Sequence, residues 1–372
     1  MQEDNSANHP VKVSWAEDSD NERILKLSPR CVQAGMIRMY PDRSPVFNRL
    51  HRLVDPGSYH ALALNNTQVV GLLGTVHGDL YLRDQPLRTA YFMDFRVDPD
   101  YRKGLTAYRL VKPTIERERS SGARLGLATV LRNNEAPMVF TKGRGGFPAS
   151  LYMGDNRIFN FIPVRKLKTD PQFTIETPTE EDIPGLIGLY NRFYQSYRLA
   201  PRLSEEEFRH YISRIDGLGL KNFRIARADG KIKAVIAIWD EAPFRNYWVT
   251  RSNLNIKMLN TISRLFSLFT EMPEPVRTNQ PLKQLSLVLF AHDDSIEALG
   301  ALLRYANNLH LGGDYSLLQI QIHQDDPAIA SLKGLTGISI YSEIHLFTET
   351  HELAREIEST PGLVHLEFQH YI

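Results

Sequence analysis

The sequence predicts an α+β protein made of two tandem copies of one fold, each a mixed, mostly antiparallel sheet flanked by helices. Two observations predict it. Arg23 to Val164 reads as strand, two helices, three antiparallel strands, helix, strand, helix, strand. After a charged, proline-bearing linker at Arg165–Gln172 the same order restarts, although the halves do not match letter for letter. The expected divisions are a mobile polar tail over 1–20, a first unit over 21–168 and a second over 169–372.

The elements follow from local pattern. Met1 to Asp20 is rich in carboxylates and poor in apolar residues, which predicts the tail. Arg23–Leu27 reads as a short strand. Cys31–Tyr40 has helical spacing and is stopped by Pro41-Asp42, and Pro45–Val54 reads as a second helix with Val46, Leu50 and Val54 on one face. Tyr59–Leu64, an Asn65-Asn66 turn and Gln68–Val76 make a hairpin. A strand through Ala90–Val97 follows. Leu105, Tyr108, Val111 and Ile115 recur at helical spacing, and Leu125–Leu131 is the next strand. Tyr152–Val164 closes the first unit.

The stretch Tyr91–Phe147 carries the chemistry. Its strand ends in Asp98-Pro99-Asp100. The basic loop Tyr101-Arg102-Lys103-Gly104 then opens directly into a helix. Amides in a first helical turn have no partner within the helix, and the helix dipole adds partial positive charge there. A pyrophosphate fits such an end, with Arg102 and Lys103 adding charge and Gly104 letting the backbone come close. The same pattern also fits a strand, a turn and a helix with no ligand. Asp94 lies inside the apolar strand, on one face with Phe92 and Arg96. A carboxylate there is either paired with a nearby arginine or functional.

The whole string resembles the acetyl-CoA-binding core of the GNAT superfamily of N-acyltransferases. The resemblance rests on Val97-Asp98-Pro99-Asp100-Tyr101-Arg102, on Lys103-Gly104-Leu105-Thr106-Ala107, on Asn133, Asn134 and Ala136, and on Gly146-Phe147. It covers about 140 residues, Arg23 to roughly Val164. It implies that acetyl-CoA or another acyl-CoA is the co-substrate. Phe95, Arg96, Val97, Arg102, Lys103, Gly104, Leu105, Thr106, Ala107, Asn133, Asn134 and Phe140 would line its site. Two positions depart from the family pattern. The loop is one residue short before Gly104, with Thr106 where a second small residue is expected. Phe140 stands where many members carry a tyrosine that protonates the departing thiolate, so the thiolate would leave through solvent or be protonated by another residue such as Tyr152. The acceptor implied is an amine, on a small molecule or a peptide, and Asp94 is the candidate general base that would take its proton. The other reading is a tandem module that binds acyl-CoA or a protein without catalysing transfer.

In the second half, Phe173–Glu176 is a strand, and Thr179 and Ser204 cap helices carrying Ile183, Leu186, Ile187, Tyr190 and Phe208, Tyr211, Ile212, Ile215. Phe223–Ala228 and Ile232–Trp239 flank an Asp229-Gly230 turn. Leu285–Phe290, a helix from Ile296 to Leu309, Tyr315–Ile322, Pro327–Leu332, Glu343–Phe347 and a helix near His351–Glu358 complete it, with a last strand near Leu363–Phe368. Ala291-His292-Asp293-Asp294 stands where the phosphate loop would be. It has neither glycine nor arginine, so this unit is expected to hold no CoA. Tyr190, Phe193, Tyr194 and Tyr197 read as core or domain interface, with a hydrophobic acyl or substrate pocket as the alternative. Arg144-Gly145-Gly146 reads as a turn, and His351-Glu352 lacks the second histidine of a zinc helix.

The chain has 372 residues, a formal net charge of +1, 42% hydrophobic and 23% charged residues, and one cysteine, Cys31. Such a balance argues against a general nucleic-acid binder. One cysteine excludes a disulfide framework and a cysteine-based zinc site, and no metal is expected. No apolar run approaches the roughly 20 residues of a membrane span. The N-terminus lacks a signal pattern, so the expectation is a cytoplasmic monomer or homodimer.

Overall fold

The computed structural model describes residues 11–33, 35, 37–132, 134, 141–143, 149–252 and 273–366. The strands of the first half are β1 (Lys12–Trp15), β2 (Ile37–Asp42), β3 (Tyr59–Asn65), β4 (Gln68–Leu82), β5 (Gln85–Val97), β6 (Leu125–Leu131) and β7 (Leu151–Phe161). Those of the second are β8 (Thr174–Glu176), β9 (Leu199–Ala200), β10 (Phe223–Ala228), β11 (Lys231–Trp239), β12 (Asn246–Ser252), β13 (Gln280–Leu282), β14 (Gln284–His292), β15 (Leu317–His323) and β16 (Gly337–Thr348). The helices are α1 (Asn21–Leu25), α2 (Arg49–Val54), α3 (Thr106–Ser120), α4 (Ile183–Gln195), α5 (Glu205–Arg214), α6 (Ile296–Leu309) and α7 (His351–Ser359).

One sheet runs through both halves in the order β1-β3-β4-β5-β6-β16-β7-β15-β14-β11-β10-β8, with β9 paired to β4. The order has an internal repeat. In the first half β3, β4 and β5 are antiparallel neighbours and β5 runs parallel to β6. In the second, β10, β11 and β14 are antiparallel neighbours and β14 runs parallel to β15. The last strand of each half then crosses over. β16 lies between β6 and β7, and β7 lies between β16 and β15. Each half therefore completes the sheet of the other.

The matching strands also share a defect. The β4–β5 register shifts between Leu72 and Gly74, and Asp94 opposite has φ +52°. The β11–β14 register shifts between Val235 and Ala237, and Leu289 opposite has φ +50°. A bulge leaves its extra residues outside the ladder and bends the strand. Left-handed backbone is tolerated by aspartate and strained for leucine.

The helices follow their apolar spacing. Ile183, Leu186, Leu189, Tyr190, Phe193 and Tyr194 put one face of α4 into the main core, and Ala298, Leu299, Leu302 and Leu303 do the same for α6. The capping boxes at Thr179–Asp182 and Ser204–Glu207 form. Leu110 of α3 packs with Ala61, Ala63, Val70 and Val97 against the first half of the sheet.

Three N-terminal segments differ from the sequence reading. Part of the supposed tail is strand β1, paired with β3 at Lys12–Leu64 through Trp15–Ala61. The supposed strand at Arg23–Leu27 is helix α1 and its exit, because Ile24 and Leu27 bury at a three-residue interval. The supposed helix at Cys31–Tyr40 yields instead strand β2, which pairs with β12 of the second half. That partner lies some 200 residues away, and long-range pairing overrode local spacing. The supposed last strand at Leu363–Phe368 has only an isolated bridge, at Val364, among the described residues.

Candidate functional site

β5 delivers the site. Its parallel pairing with β6 ends at Phe92–Ala128, and its pairing with β4 is interrupted between Met93 and Arg96. Backbone at the bulge is thus outside the ladder on both sides. After Val97 the chain turns through a short 3₁₀ segment, Pro99–Tyr101, where the Asp98 side chain accepts from the Asp100 amide. Arg102 folds back and its Nε donates to Val97 O at 2.9 Å. Arg102, Lys103, Gly104 and Leu105 are exposed, and Thr106 is buried.

Helix α3 starts at Thr106 with Leu105 as its cap residue, and no side chain caps it. Its first intrahelical bond runs from Arg109 N–H to Leu105 O. The amides ahead of that bond face the loop. A Cβ built at Gly104 meets nothing within 4 Å, so the loop is open on that side. Phe95 and Val97 pack with α3. Asn134, exposed just beyond β6, donates its amide to Leu131 O. Asn133, Phe140, Gly146 and Phe147 lie outside the described residues. The structure therefore joins Asp94 through Ala107 into one strand, turn, loop and helix start.

Asp94 sits in a buried charged cluster that the sequence did not reveal beyond Arg96. Arg43 Nη2 lies 3.2 Å from its Oδ2, Arg96 Nη2 contacts Oδ1, and His51 Nε2 lies 3.8 Å away. Burial pushes the carboxyl up, but Arg43 and Arg96 together outweigh it and hold Asp94 well below the usual carboxylate range. Burial pushes His60 down to about 4 and His51 well below its usual value, so both rings are neutral. Arg96 is held by Ser28 Oγ at 2.6 Å, while Arg43 Nε and Nη1 find no partner. The pairing with an arginine that the sequence allowed is present twice over. An ionised carboxylate pinned by two guanidiniums is a poor proton acceptor, which argues against the general-base expectation for Asp94.

His51, His60 and Asp94 bring one ligand atom each within 4.8 Å of one another. Two guanidiniums on the shared carboxylate oppose a divalent cation at that point. His51 and His60 were missed because their segments were read for apolar spacing, and Arg43 because it lies in the turn between two such segments. The available signal was polarity on buried faces, since His51 follows Leu50 and His60 opens the apolar run of β3.

The corresponding place in the second half is closed by its own side chains. Tyr190 OH donates to Leu289 O at 2.6 Å, at the bulge. Ser295 caps α6 by accepting from the Ala298 amide. Asp293 pairs with Lys233 at 2.8 Å.

No family model matches the chain, and no curated protein matches it. Solved structures do match in fold. A crystal structure of Saccharomyces cerevisiae N-myristoyltransferase with bound myristoyl-CoA has a TM-score of 0.62 and 14% identity, covering 98% of this chain and 92% of that one. A second structure of that enzyme with myristoyl-CoA has a TM-score of 0.60 and 15% identity over 93% and 81%. A third, with inhibitors as well, gives 0.58 and 14% over 98% and 88%. N-myristoyltransferases are tandem members of the GNAT superfamily, and the repeated strand–bulge–parallel-strand order with exchanged last strands places this chain in that tandem GNAT fold.

Proposed function

We propose that the chain is an acyl-CoA-dependent N-acyltransferase that works in its first half. One observation carries the reading: the uncapped start of α3, open at Gly104 and flanked by Arg102 and Lys103, directly follows a bulged strand. In this reading the pyrophosphate sits on Arg102–Ala107. The pantetheine runs along β5, past the bulge between Met93 and Arg96. The thioester then lies near the bulge, and an amine of a peptide or small molecule attacks it. The fold supports this, because matching structures of N-myristoyltransferase hold myristoyl-CoA. The second half, with Tyr190 on its bulge and Ser295 on its helix start, binds no CoA and completes the sheet.

The acyl group is left to the test. Isothermal calorimetry with CoA thioesters from acetyl to myristoyl should give one site per chain, with one chain length preferred. No binding by any of them would end the proposal, and two sites would end the division of labour between the halves.

The other reading is a non-catalytic acyl-CoA-binding module. Its support is the Asp94 cluster, which leaves no free carboxylate at the bulge. Release of CoA thiol with a panel of amines and peptides separates the two, since a module binds and releases none.

A further inference from the structure

Across the sheet from the loop, Ser150 stands just ahead of β7 with its Oγ 2.9 Å from His345 Nδ1. His345 Nε2 lies 3.1 Å from Glu343 Oε2. A carboxylate only accepts, so the ring proton sits on Nε2 and Nδ1 carries the lone pair. The Ser150 amide already donates to Thr141 O at 2.9 Å. Its hydroxyl lies 3.1 Å from the same carbonyl. The one hydroxyl proton can go to that carbonyl or, at the shorter distance, to Nδ1. Burial pushes His345 down, and Glu343 and Asp155 push it partly back, leaving it below its usual value and neutral at pH 7.

Glu343 and His345 share one face of β16, since alternate residues of a strand do. His345 pairs with Ala128 of β6, and Ala128 pairs with Phe92 of β5. The Cα of His345 is thus about two strand spacings, or roughly 10 Å, from that of Phe92. The ring contact between Phe92 and Phe347, centroids 6.5 Å apart, fixes that common face. The bulge of β5 begins two residues beyond Phe92. Ser150 is partly exposed and Tyr152 beside it is exposed, so a ligand can reach the hydroxyl.

We propose that Ser150, His345 and Glu343 form a nucleophile, base and orienting carboxylate that takes the acyl group from acyl-CoA as an ester on Ser150. The proposal rests on the acyl-CoA reading above. In the step, Ser150 Oγ bonds to the thioester carbonyl carbon as the C–S bond breaks. The hydroxyl proton passes to His345 Nδ1 and from there to the departing thiolate, which leaves as CoASH. An amine or water then cleaves the ester and restores the serine. Such a relay makes a weak nucleophile reactive at neutral pH, and it supplies a proton donor for the thiolate.

The test begins with a fluorophosphonate probe, which needs no acyl-CoA. The full chain should gain one adduct by intact mass, mapped to Ser150. Ser150→Ala should lose it while melting as the wild type does, and His345→Gln should slow labelling at least about a hundredfold. Incubation with the acyl-CoA that calorimetry selects should release up to one thiol per chain in a burst without acceptor and leave a hydroxylamine-sensitive ester on Ser150. Equal labelling of wild type and Ser150→Ala, or none, overturns the relay. Acyl-CoA binding without a Ser150 ester overturns the transfer step while leaving the proposed function standing. Absence of acyl-CoA binding refutes that function instead, and with it the transfer step.

Discussion

Gly104 and Asp94 divide the residue scale into a test of the ligand and a test of the fold. A Cβ at Gly104 meets no protein atom within 4 Å, so Gly104→Asp leaves the fold alone and puts a carboxylate at the anion site. Acyl-CoA affinity measured by calorimetry should fall at least tenfold, about 1.4 kcal/mol or more, with an unchanged melting temperature. Equal affinity would move the pyrophosphate elsewhere. Asp94 answers a different question. Its left-handed backbone suits asparagine as well as aspartate, so Asp94→Asn removes charge and little else. Arg43 and Arg96 would then lose their counter-charge inside the protein, with Arg43 Nε and Nη1 already without partners. Breaking a buried pair on one side costs about 3–5 kcal/mol. Chemical denaturation should show that loss. If stability holds and turnover collapses, Asp94 serves the chemistry after all.

Helix α3 carries the loop, and at the scale of elements a histidine clamp holds it to the sheet. His77 of β4 has Nδ1 2.8 Å from Asp55 and Nε2 3.0 Å from Glu118 of α3, which also accepts from Tyr59. Hydrogen bonds to Asp55 and Glu118 push His77 up to about 9 from an ordinary 6.5. A raised folded pKa means its stabilisation is complete below pH 6.5 and is lost as pH rises through 9. Asp55 and Glu118 are held below their ordinary 3.8 and 4.5, so their share is lost on the acid side instead. After solvent screening the histidine is worth about 1–2 kcal/mol. Thermal melts at pH 6 and pH 9.5 should show a drop in wild type that His77→Gln lacks, and parallel profiles would remove the clamp. Elements of this kind differ in how far the sequence reveals them. β6, α4 and α6 were legible because apolar spacing and caps decide them locally. β2 was not, since β12 decides it. The loop at Arg102–Ala107 was legible as a string. The cluster around Asp94 was not, because Arg43, His51 and His60 reach it from the loop after β2, from α2 and from β3.

The whole molecule is decided by its exchanged strands. The sequence shows a repeat and suggests two units joined by a linker, and β7 and β8 do flank that linker. Nothing local tells a strand which half it will join, since pairing is settled by the edge it meets. β6 pairs along its whole length, Leu125–Leu131, with Thr348–Ser342 of β16. β7 has β16 on one side and β15 on the other, all from the second half. Residues 1–168 alone would expose the outer edge of β6 and strip β7 of both neighbours. The main core would be cut as well, because Leu127, Phe159 and Phe161 share it with Leu318, Ile320, Ile344 and Leu346. An open apolar edge invites aggregation. The fragment 1–168 is therefore expected to be insoluble or oligomeric, and to bind acyl-CoA only when co-expressed with 169–372. The intact chain should melt in one transition, seen alike by calorimetry and by tryptophan fluorescence. A monomeric 1–168 that melts cooperatively and binds acyl-CoA would show that the first half stands alone, and that the exchanged strands lock two independent units rather than build one.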